Sequence, residues 1–184
     1  MNTCHFHCRS ERGITLVEAM VTVSILVILM MMAVPAYKSM IEGNRRSTYV
    51  TQLFEDLTLA RSEAIKRNAR VVVCPSSDGT SCLSALSNDW STGWLVFVDR
   101  DSDNTVSDGD SVVRQHEALV LPAGWIAVDN ISVGPHLASF RPTGMIQTNF
   151  RICIMESTNT CGSGNGSFSN VVGTTTGRLR IESQ

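Results

Sequence analysis

The feature that most constrains this chain is a charged residue inside a long apolar run. Residues Ile14–Val34 form a run of 21 residues in which Glu18 is the only charged side chain. At roughly 1.5 Å per residue, a helix of this length spans a bilayer. A carboxylate within hydrocarbon costs about 3 kcal/mol on insertion scales, so it needs a partner and a function. The sequence therefore predicts a transmembrane helix whose first turns carry a functional Glu18.

The residues in front of this run distinguish it from a secretory signal. A secretory signal has an apolar core of about 7–15 residues followed by its cleavage site. Here Arg12-Gly13 precedes the run, and Arg12–Glu18 resembles the leader-cleavage site of type IV prepilins and pseudopilins. The family usually has Phe where this chain has Ile14. The resemblance implies cleavage after Gly13, N-methylation of Ile14 and a role for Glu18 in filament assembly. A plain signal anchor with an incidental glutamate is the alternative.

The same resemblance implies a location and a set of partners. A prepilin peptidase and methylase would remove the leader, residues 1–13, on the cytoplasmic side. The single apolar helix would hold the chain in the inner membrane, with its C-terminal domain in the periplasm. It would then join other major and minor pilins in a pilus at the cell surface, where Glu18 pairs with the Ile14 amine of a neighbouring subunit. Basic residues flank the run on both sides, so charge alone does not decide the orientation.

The charge balance excludes a global nucleic-acid signal. The formal net charge is −2, and loss of two arginines and one glutamate with the leader makes it −3. Any anion binding must therefore come from a local cluster of basic side chains.

The cysteines fall into a leader pair and two later pairs. Cys4 and Cys8 would leave with the leader, while the other four form pairs with seven intervening residues, Cys74 with Cys82 and Cys153 with Cys161. Four cysteines allow three pairings, and the local one is favoured because each pair flanks a loop rich in Gly or Ser. Disulfides indicate an oxidising compartment. Zinc is the alternative, but its usual tight spacing is absent.

The pattern predicts an α+β fold in which one helix, from about 14 to 68, precedes a set of strands. Leu53, Leu57, Ala60 and Ala64 fall at helical spacing, so the second half of the helix should pack on a globular domain. Gly162–Thr176 is low in complexity and is predicted to be a mobile loop. Apolar and β-branched runs separated by turn residues predict seven strands: Arg70–Pro75, Trp94–Val98, Ser111–His116, Trp125–Ser132, Ala138–Arg141, Phe150–Met155 and Arg178–Glu182.

Three segments resemble the GspH/FimT group of minor pilins and pseudopilins, and within it the FimT and FimU minor pilins. They are Leu59–Arg67 (LARSEAIKR), Gly93–Asp99 (GWLVFVD) and Gly177–Arg180 (GRLR). The resemblance implies the type IV pilin fold, a long N-terminal helix packed on an antiparallel, sandwich-like β domain. It divides the chain into a leader (1–13), a transmembrane and assembly helix (14–34), the amphipathic half of the same helix (35–69) and a GspH-like β domain (70–184).

The C-terminal segment is the candidate binding site. In a strand, residues i and i+2 share a face, so Arg178 and Arg180 should project together while Leu179 and Ile181 turn to the core. Two adjacent guanidiniums suit phosphate, and such binding would be weakly sequence-specific and salt-dependent. The segment resembles the GRxR motif of FimT proteins, which bind DNA during uptake in natural transformation; there Gly177 would let a phosphate approach the backbone. The alternative is an exposed arginine pair that bridges to Glu182 or to the acidic turn. Five further basic residues could extend the patch: Lys66, Arg67, Arg70, Arg141 and Arg151.

The acidic segment Asp99–Asp110 invites comparison with a calcium loop. Its first aspartates match the start of an EF-hand, but Asn104 stands where Gly is needed and Asp110 where a bidentate Glu is needed. The flanks also read as strands, so a solvated hairpin is favoured over a metal site.

No catalytic constellation emerges from the motifs. His116 follows a strand pattern and His136 sits in a turn beside Pro135, so both are predicted to be surface or packing residues. The chain is not expected to be an enzyme or to need a cofactor. Two functions remain: a minor type IV pilin for assembly priming or the tip complex, with or without binding of double-stranded DNA, and a type II secretion pseudopilin.

Overall fold

The structure, a computed structural model, describes residues 13–84, 87–131, 135–161 and 168–183. The chain divides after Ile41 into two compact units. The predicted leader lies outside the described residues up to Arg12, together with Cys4 and Cys8.

A single helix, α1, runs over Leu16–Arg67, which confirms the prediction of one long helix. It ends because Asn68 adopts a left-handed backbone with φ of 47°. The Asn68 and Ala69 N–H groups then donate to the Ile65 and Ala64 carbonyls, which closes the last turn as a Schellman motif. In the first unit, Leu16–Val34 is exposed and is the one stretch of the described chain long and apolar enough to cross a membrane.

Two antiparallel sheets follow the helix. In the described part of the chain the strands are β1 (Arg70–Pro75), β2 (Trp94–Asp99), β3 (Ser111–His116), β4 (Trp125–Asp129), β5 (Ala138–Phe140), β6 (Phe150–Glu156), β7 (Phe168–Gly173) and β8 (Leu179–Ser183). The first sheet has the order β3-β2-β1-β5 and the second the order β4-β6-β7-β8. A long helix with two antiparallel sheets confirms the predicted α+β, sandwich-like architecture.

One core joins the second half of α1 to both sheets. Leu53, Leu57, Ala60 and Ala64 are all at most 1% exposed, as their helical spacing predicts. They belong to the same cluster as Val71 and Val96 of the first sheet and as Ile152, Ile154 and Val171 of the second. Every residue of this cluster lies at or beyond Val50, so the second unit contains its whole core.

Strand β1 is buried on both faces, which explains its continuous apolar sequence. Val71 and Val73 face α1, whereas Val72 and Cys74 join a second cluster on the opposite face. Buried residues on both faces are typical of a strand inside a sheet, and β1 lies between β2 and β5.

The structure corrects the prediction of a loop over Gly162–Thr176. Strand β7 occupies Phe168–Gly173 and pairs with β6 on one side and β8 on the other. The rest of the predicted loop up to Ser167 lies outside the described residues. The local composition conceals a strand here because its stability comes from two neighbouring strands and from Val171, which is fully buried. Strands β1 and β3 have the predicted bounds, and the bounds of the other predicted strands shift by one to three residues. Ser132 of the predicted fourth strand lies outside the described residues.

Candidate functional site

The N-terminal segment presents the predicted cleavage site on an exposed helix start. The Thr15 hydroxyl accepts a hydrogen bond from the Glu18 backbone N–H at 3.2 Å, as a helix N-cap does. Glu18 therefore lies in the first turn, where the helix dipole favours a carboxylate. Ile14 is 79% exposed, and within the described residues nothing packs where a Gly13 side chain would stand. Both sides of the predicted scissile bond are open, and the Glu18 side chain is exposed.

Both local cysteine pairs form disulfides, which confirms the predicted connectivity. The Cα atoms of Cys74 and Cys82 are 5.6 Å apart, and those of Cys153 and Cys161 are 5.7 Å apart. Cys74 and Cys153 are buried on the face of their sheet that points away from α1. Each disulfide therefore ties a loop over the outer face of one sheet.

The two C-terminal arginines differ in their surroundings. Arg178 is exposed, and its guanidinium has no hydrogen bond or ion pair to any other described residue. Arg180 is 52% exposed and forms an ion pair with Glu182, in which Nη2 lies 2.6 Å from Oε1. Arg151 reaches the other oxygen of Glu182, at 3.5 Å. The structure therefore contains the bridge to Glu182 that was the alternative to a free arginine pair.

The register of the second sheet places Arg151 beside these arginines. Arg151 pairs with Val172 across β6 and β7, and Val172 pairs with Arg180 across β7 and β8. Because directly paired residues share a face, Arg151 and Arg180 flank Val172 on the outer face of the sheet. Leu179 packs against the core as predicted. Ile181 pairs with the buried core residue Val171 and so shares its face of the sheet, but Ile181 is 43% exposed. Strand β8 lies at the sheet edge, where nothing described covers that position.

Gly177 is buried against a neighbouring turn. Its φ is +83°, and a Cβ there would stand 2.3 Å from the Gly144 carbonyl oxygen and 3.2 Å from Arg61 Nη2. Arg61 also donates from Nε to that same Gly144 oxygen at 3.1 Å. Close packing of two turns on α1 accounts for glycine at this position. Arg61, a third guanidinium next to the Gly177–Arg180 segment, was not among the basic residues predicted to extend it.

The remaining basic candidates divide into paired and unpaired residues. Lys66 and Arg67 both bind Glu63, at 3.4 and 2.6 Å. The Arg67 hydrogen bond is the main reason that the pKa of Glu63 lies below its usual value. Arg141 is exposed in the turn that contains Gly144, and its side chain has no partner among the described residues. Among the described basic residues, Arg61 contacts the Gly144 turn beside Gly177, Arg141 lies in that turn and Arg151 pairs with Glu182, so these three could extend the C-terminal arginines.

The acidic segment forms the turn between β2 and β3, as predicted. Carboxylate oxygens of Asp99, Asp101, Asp103 and Asp110 lie within 4.8 Å of one another. The Arg70 guanidinium lies against this cluster. Arg70 contacts Asp99 Oδ2 at 3.4 Å and donates to the Ser102 carbonyl at 3.3 Å and to the Asn104 side chain.

Burial and hydrogen bonding affect these carboxylates in opposite directions. Burial raises the pKa of Asp99, although Arg70 and the Ser102 and Asn104 backbone N–H groups act to lower it. In contrast, hydrogen bonds from Thr105 lower the pKa of the exposed Asp103. The turn is therefore organised by Arg70 and by its own backbone donors.

Both histidines are packing residues in this structure. His116 stacks on Trp94 with ring centroids 4.0 Å apart, and its Nε2 lies 3.2 Å from Gln52 Oε1. His136 lies 2.7 Å from the buried Asp129 carboxylate. Neither arrangement brings a nucleophile to the imidazole.

Comparison with known protein families gives two matches. Residues 50–177 match the family model described as type II transport protein GspH, and residues 8–34 match the prokaryotic N-terminal methylation motif. The first match covers more than half of the chain. No curated protein matches the sequence.

Solved structures similar to this chain include a minor pilin and a minor pseudopilin. The FimU minor pilin of Pseudomonas aeruginosa strain PAO1 is 20% identical, with a TM-score of 0.54 over 77% of this chain and 90% of that one. A second crystal form of FimU is 19% identical, with a TM-score of 0.51 over 74% of this chain and 91% of that one. The minor pseudopilin EpsH of Vibrio cholerae is 14% identical, with a TM-score of 0.49 over 76% and 97% of the two chains.

Proposed function

This chain belongs to the GspH family of type II transport proteins, and on that premise we propose that it is a minor type IV pilin that binds DNA. Its family, its N-terminal methylation motif and its fold identify it as a minor pilin or pseudopilin of the GspH/FimT/FimU type. The apolar helix and the pilin motif fit a chain anchored in the inner membrane and assembled with other pilins. We propose that the chain is part of the type IV pilus and that it is cleaved after Gly13 and methylated at Ile14. We also propose that it has no enzymatic activity and that it binds DNA.

We place the unit that begins at Glu42 in the periplasm. Two disulfides support this orientation, because they lie in that unit and disulfides persist in oxidising compartments. The N-terminal side of the apolar helix then faces the cytoplasm, where a prepilin peptidase and methylase would act on Gly13 and Ile14.

The observation that carries the DNA proposal is the exposed, unpaired guanidinium of Arg178. Within the described residues it has no carboxylate to compete with, and Arg180 lies two positions further along the same edge of the sheet. Arg61 approaches from α1 behind Gly177. A cluster of guanidiniums on a chain with negative net charge favours contact with phosphates at one place, and such contacts carry little sequence information.

A salt series on the chain in non-ionic detergent micelles tests this proposal. We expect double-stranded DNA to bind, and the double variant Arg178→Ala and Arg180→Ala to bind at least about ten-fold more weakly at low salt. The slope of log affinity against log salt should fall by about 0.9 for each lost phosphate contact. Arg45→Ala with Arg100→Ala is the matched control, because it removes the same charge from two other exposed sites.

Two outcomes of this experiment would overturn the proposal in different ways. Equal losses in the C-terminal double variant and in the control would mean that total charge, and not the arginine pair, determines binding. Absence of binding by the unmutated chain would leave a purely structural minor pilin.

A type II secretion pseudopilin is the second candidate, and the description of the matching family favours it. Deletion of the gene would separate the two. A pseudopilin mutant retains secreted proteins in the periplasm, whereas a minor pilin mutant loses surface pili or DNA uptake.

A further inference from the structure

We propose that the cleft beside Arg151 is a second phosphate-binding subsite and that Glu182 competes with phosphate for the Arg151 guanidinium. This inference rests on the proposed DNA-binding function and names a further part of the same site. It assigns a role to two residues outside the Gly177–Arg180 segment.

Glu182 is the one carboxylate in the described residues that holds two of the arginines on this face. One oxygen binds Arg180 at 2.6 Å and the other lies 3.5 Å from Arg151. The two guanidiniums belong to strands on either side of β7, so Glu182 bridges across the whole width of that strand. A DNA phosphate would have to contact the same two guanidiniums that Glu182 now pairs with.

The ion pairs of Glu182 are exposed enough to solvent for a phosphate to replace the carboxylate. The side chain of Glu182 is 32% exposed, that of Arg180 is 52% exposed and that of Arg151 is 26% exposed. Pairs in contact with water contribute little net stability, because solvent screens them and competes for the same donors. A polyanion that approaches this edge can therefore displace the carboxylate without breaking the fold.

A cleft with further donors adjoins Arg151. It has a volume of about 250 Å³, and its lining includes Asn130, Asn149, Arg151 and Thr174. The side-chain oxygens of Asn130 and Asn149 are already used, because they accept from the Arg151 and Thr175 backbone N–H groups. Their amide NH₂ groups have no partner in the described residues and remain as donors.

The cleft and the C-terminal arginines form one continuous surface. Thr174 lines the cleft, and its backbone N–H donates to the Arg178 carbonyl at 3.0 Å. Val172, which also lines the cleft, lies between Arg151 and Arg180 in the register of the sheet. A DNA backbone that contacts Arg178 therefore has a continuous surface toward the cleft, where Arg151 would bind a second phosphate.

Glu182→Gln tests the competition directly in the full chain, with fluorescence anisotropy on a short double-stranded DNA. We expect the variant to bind about two- to five-fold more tightly, because the weak ion pairs of Glu182 with Arg151 and Arg180 no longer compete. Glu156→Gln is the matched control: it removes the same charge from an exposed position of the same sheet where no ion pair exists among the described residues. Arg151→Ala should then weaken binding more in the Glu182→Gln background than in the unmutated chain.

The possible results separate this inference from the function on which it rests. If the unmutated chain needs Arg178 for binding but neither Glu182→Gln nor Arg151→Ala alters affinity, the subsite is refuted and the proposed function stands. Weaker binding by Glu182→Gln would show that Glu182 positions the arginines, which also refutes competition. If no variant binds DNA, the proposed function fails and this inference fails with it. Thermal unfolding of each variant establishes that the fold is unchanged.

Discussion

At the scale of single residues, Gly177 and Arg178 have opposite surroundings although they are adjacent in sequence. Gly177 is buried against the Gly144 carbonyl, whereas the Arg178 side chain is exposed. A change at the first should therefore affect stability, and a change at the second should affect binding. The resemblance to DNA-binding minor pilins treats both residues as parts of one motif, and the structure gives a physical reason to separate them.

We predict that Gly177→Ala lowers the free energy of unfolding by about 3 kcal/mol or more. A left-handed backbone costs an L-residue about 1–2 kcal/mol, and the added Cβ would also collide with the Gly144 oxygen. Gly124→Ala is the matched control, because Gly124 has φ of +82° but no neighbour within 4 Å. Gly124→Ala should lower the free energy of unfolding only by the cost of the left-handed backbone. Urea unfolding measures both, and equal losses in the two variants would contradict close packing at Gly177.

Arg61 shows what a sequence conceals at this scale. It lies in the segment Leu59–Arg67, which the resemblance already singled out, yet its role depends on the Gly144 turn 83 positions away. No local pattern indicates such a contact. Arg178, in contrast, could be identified from a local pattern, its spacing of two from Arg180 and the GRxR resemblance.

At the scale of elements, predictions succeeded where periodicity was strong. The buried face of α1 and the strands β1 and β3 agree with the sequence pattern, because each has a regular apolar period or a β-branched run. Strand β7 was not predicted, because its stability comes from pairing with β6 and β8 and not from its own sequence pattern. The pairing of Glu182 with Arg151 could not be predicted either, since it depends on the register of three strands.

The turn between β2 and β3 gives a prediction about pH. We expect Arg70→Met to lower stability by about 1–2 kcal/mol at neutral pH, because the buried Asp99 carboxylate loses its cation. Burial already raises the pKa of Asp99 above its unfolded value, so ionised Asp99 opposes folding, and this cost disappears as the pH falls through the raised pKa. The stability difference between variant and parent should therefore narrow on acidification.

The measurement is the free energy of unfolding from neutral pH down to about pH 4, near the ordinary pKa of an aspartate. Arg141→Met is the control, since Arg141 is exposed and has no ion pair in the described residues. Its difference from the parent should be small and independent of pH. A deficit for Arg70→Met that stays constant over the whole range would mean that Arg70 acts through its hydrogen bonds to Ser102 and Asn104.

The two disulfides give a prediction about the stability of the fold. Replacing Cys153 and Cys161 by alanine should lower the free energy of unfolding by about 2.5 kcal/mol, because the bond closes a loop with a sequence separation of 8. Replacing Cys74 and Cys82 should have a similar effect, since the loop has the same length. Unfolding of the parent that is insensitive to a thiol reductant would contradict both expectations.

At the scale of the whole molecule, the chain has two units, and each contains one of the functions that we propose. The first, up to Ile41, contains the apolar helix stretch and Glu18; the second contains the core, both disulfides and the arginines. The assembly role that we propose for Glu18 and the DNA binding that we propose for the arginines therefore fall at opposite ends of the sequence. Substitutions at one end should leave the function of the other intact.

Glu18→Ala tests this separation. We expect normal cleavage after Gly13 and normal membrane insertion, because removal of a charge makes the helix more apolar. The variant should nevertheless be absent from sheared pili, since the Ile14 amine of a neighbouring subunit would have no carboxylate partner within the filament. Immunoblots of membrane and pilus fractions measure both steps, and DNA binding by the purified variant should equal that of the parent.

Two controls make the result specific to the position of the charge. Glu42→Ala removes a carboxylate from an exposed site further along the same helix, so it should be cleaved and should reach the pilus. Gly13→Ala should instead accumulate at the size of the precursor, because the residue before the cut is changed. If Glu18→Ala enters pili as well as the parent does, the carboxylate has no assembly role. Its place in the first turn would then reflect only the cap formed by Thr15 and the favourable helix dipole.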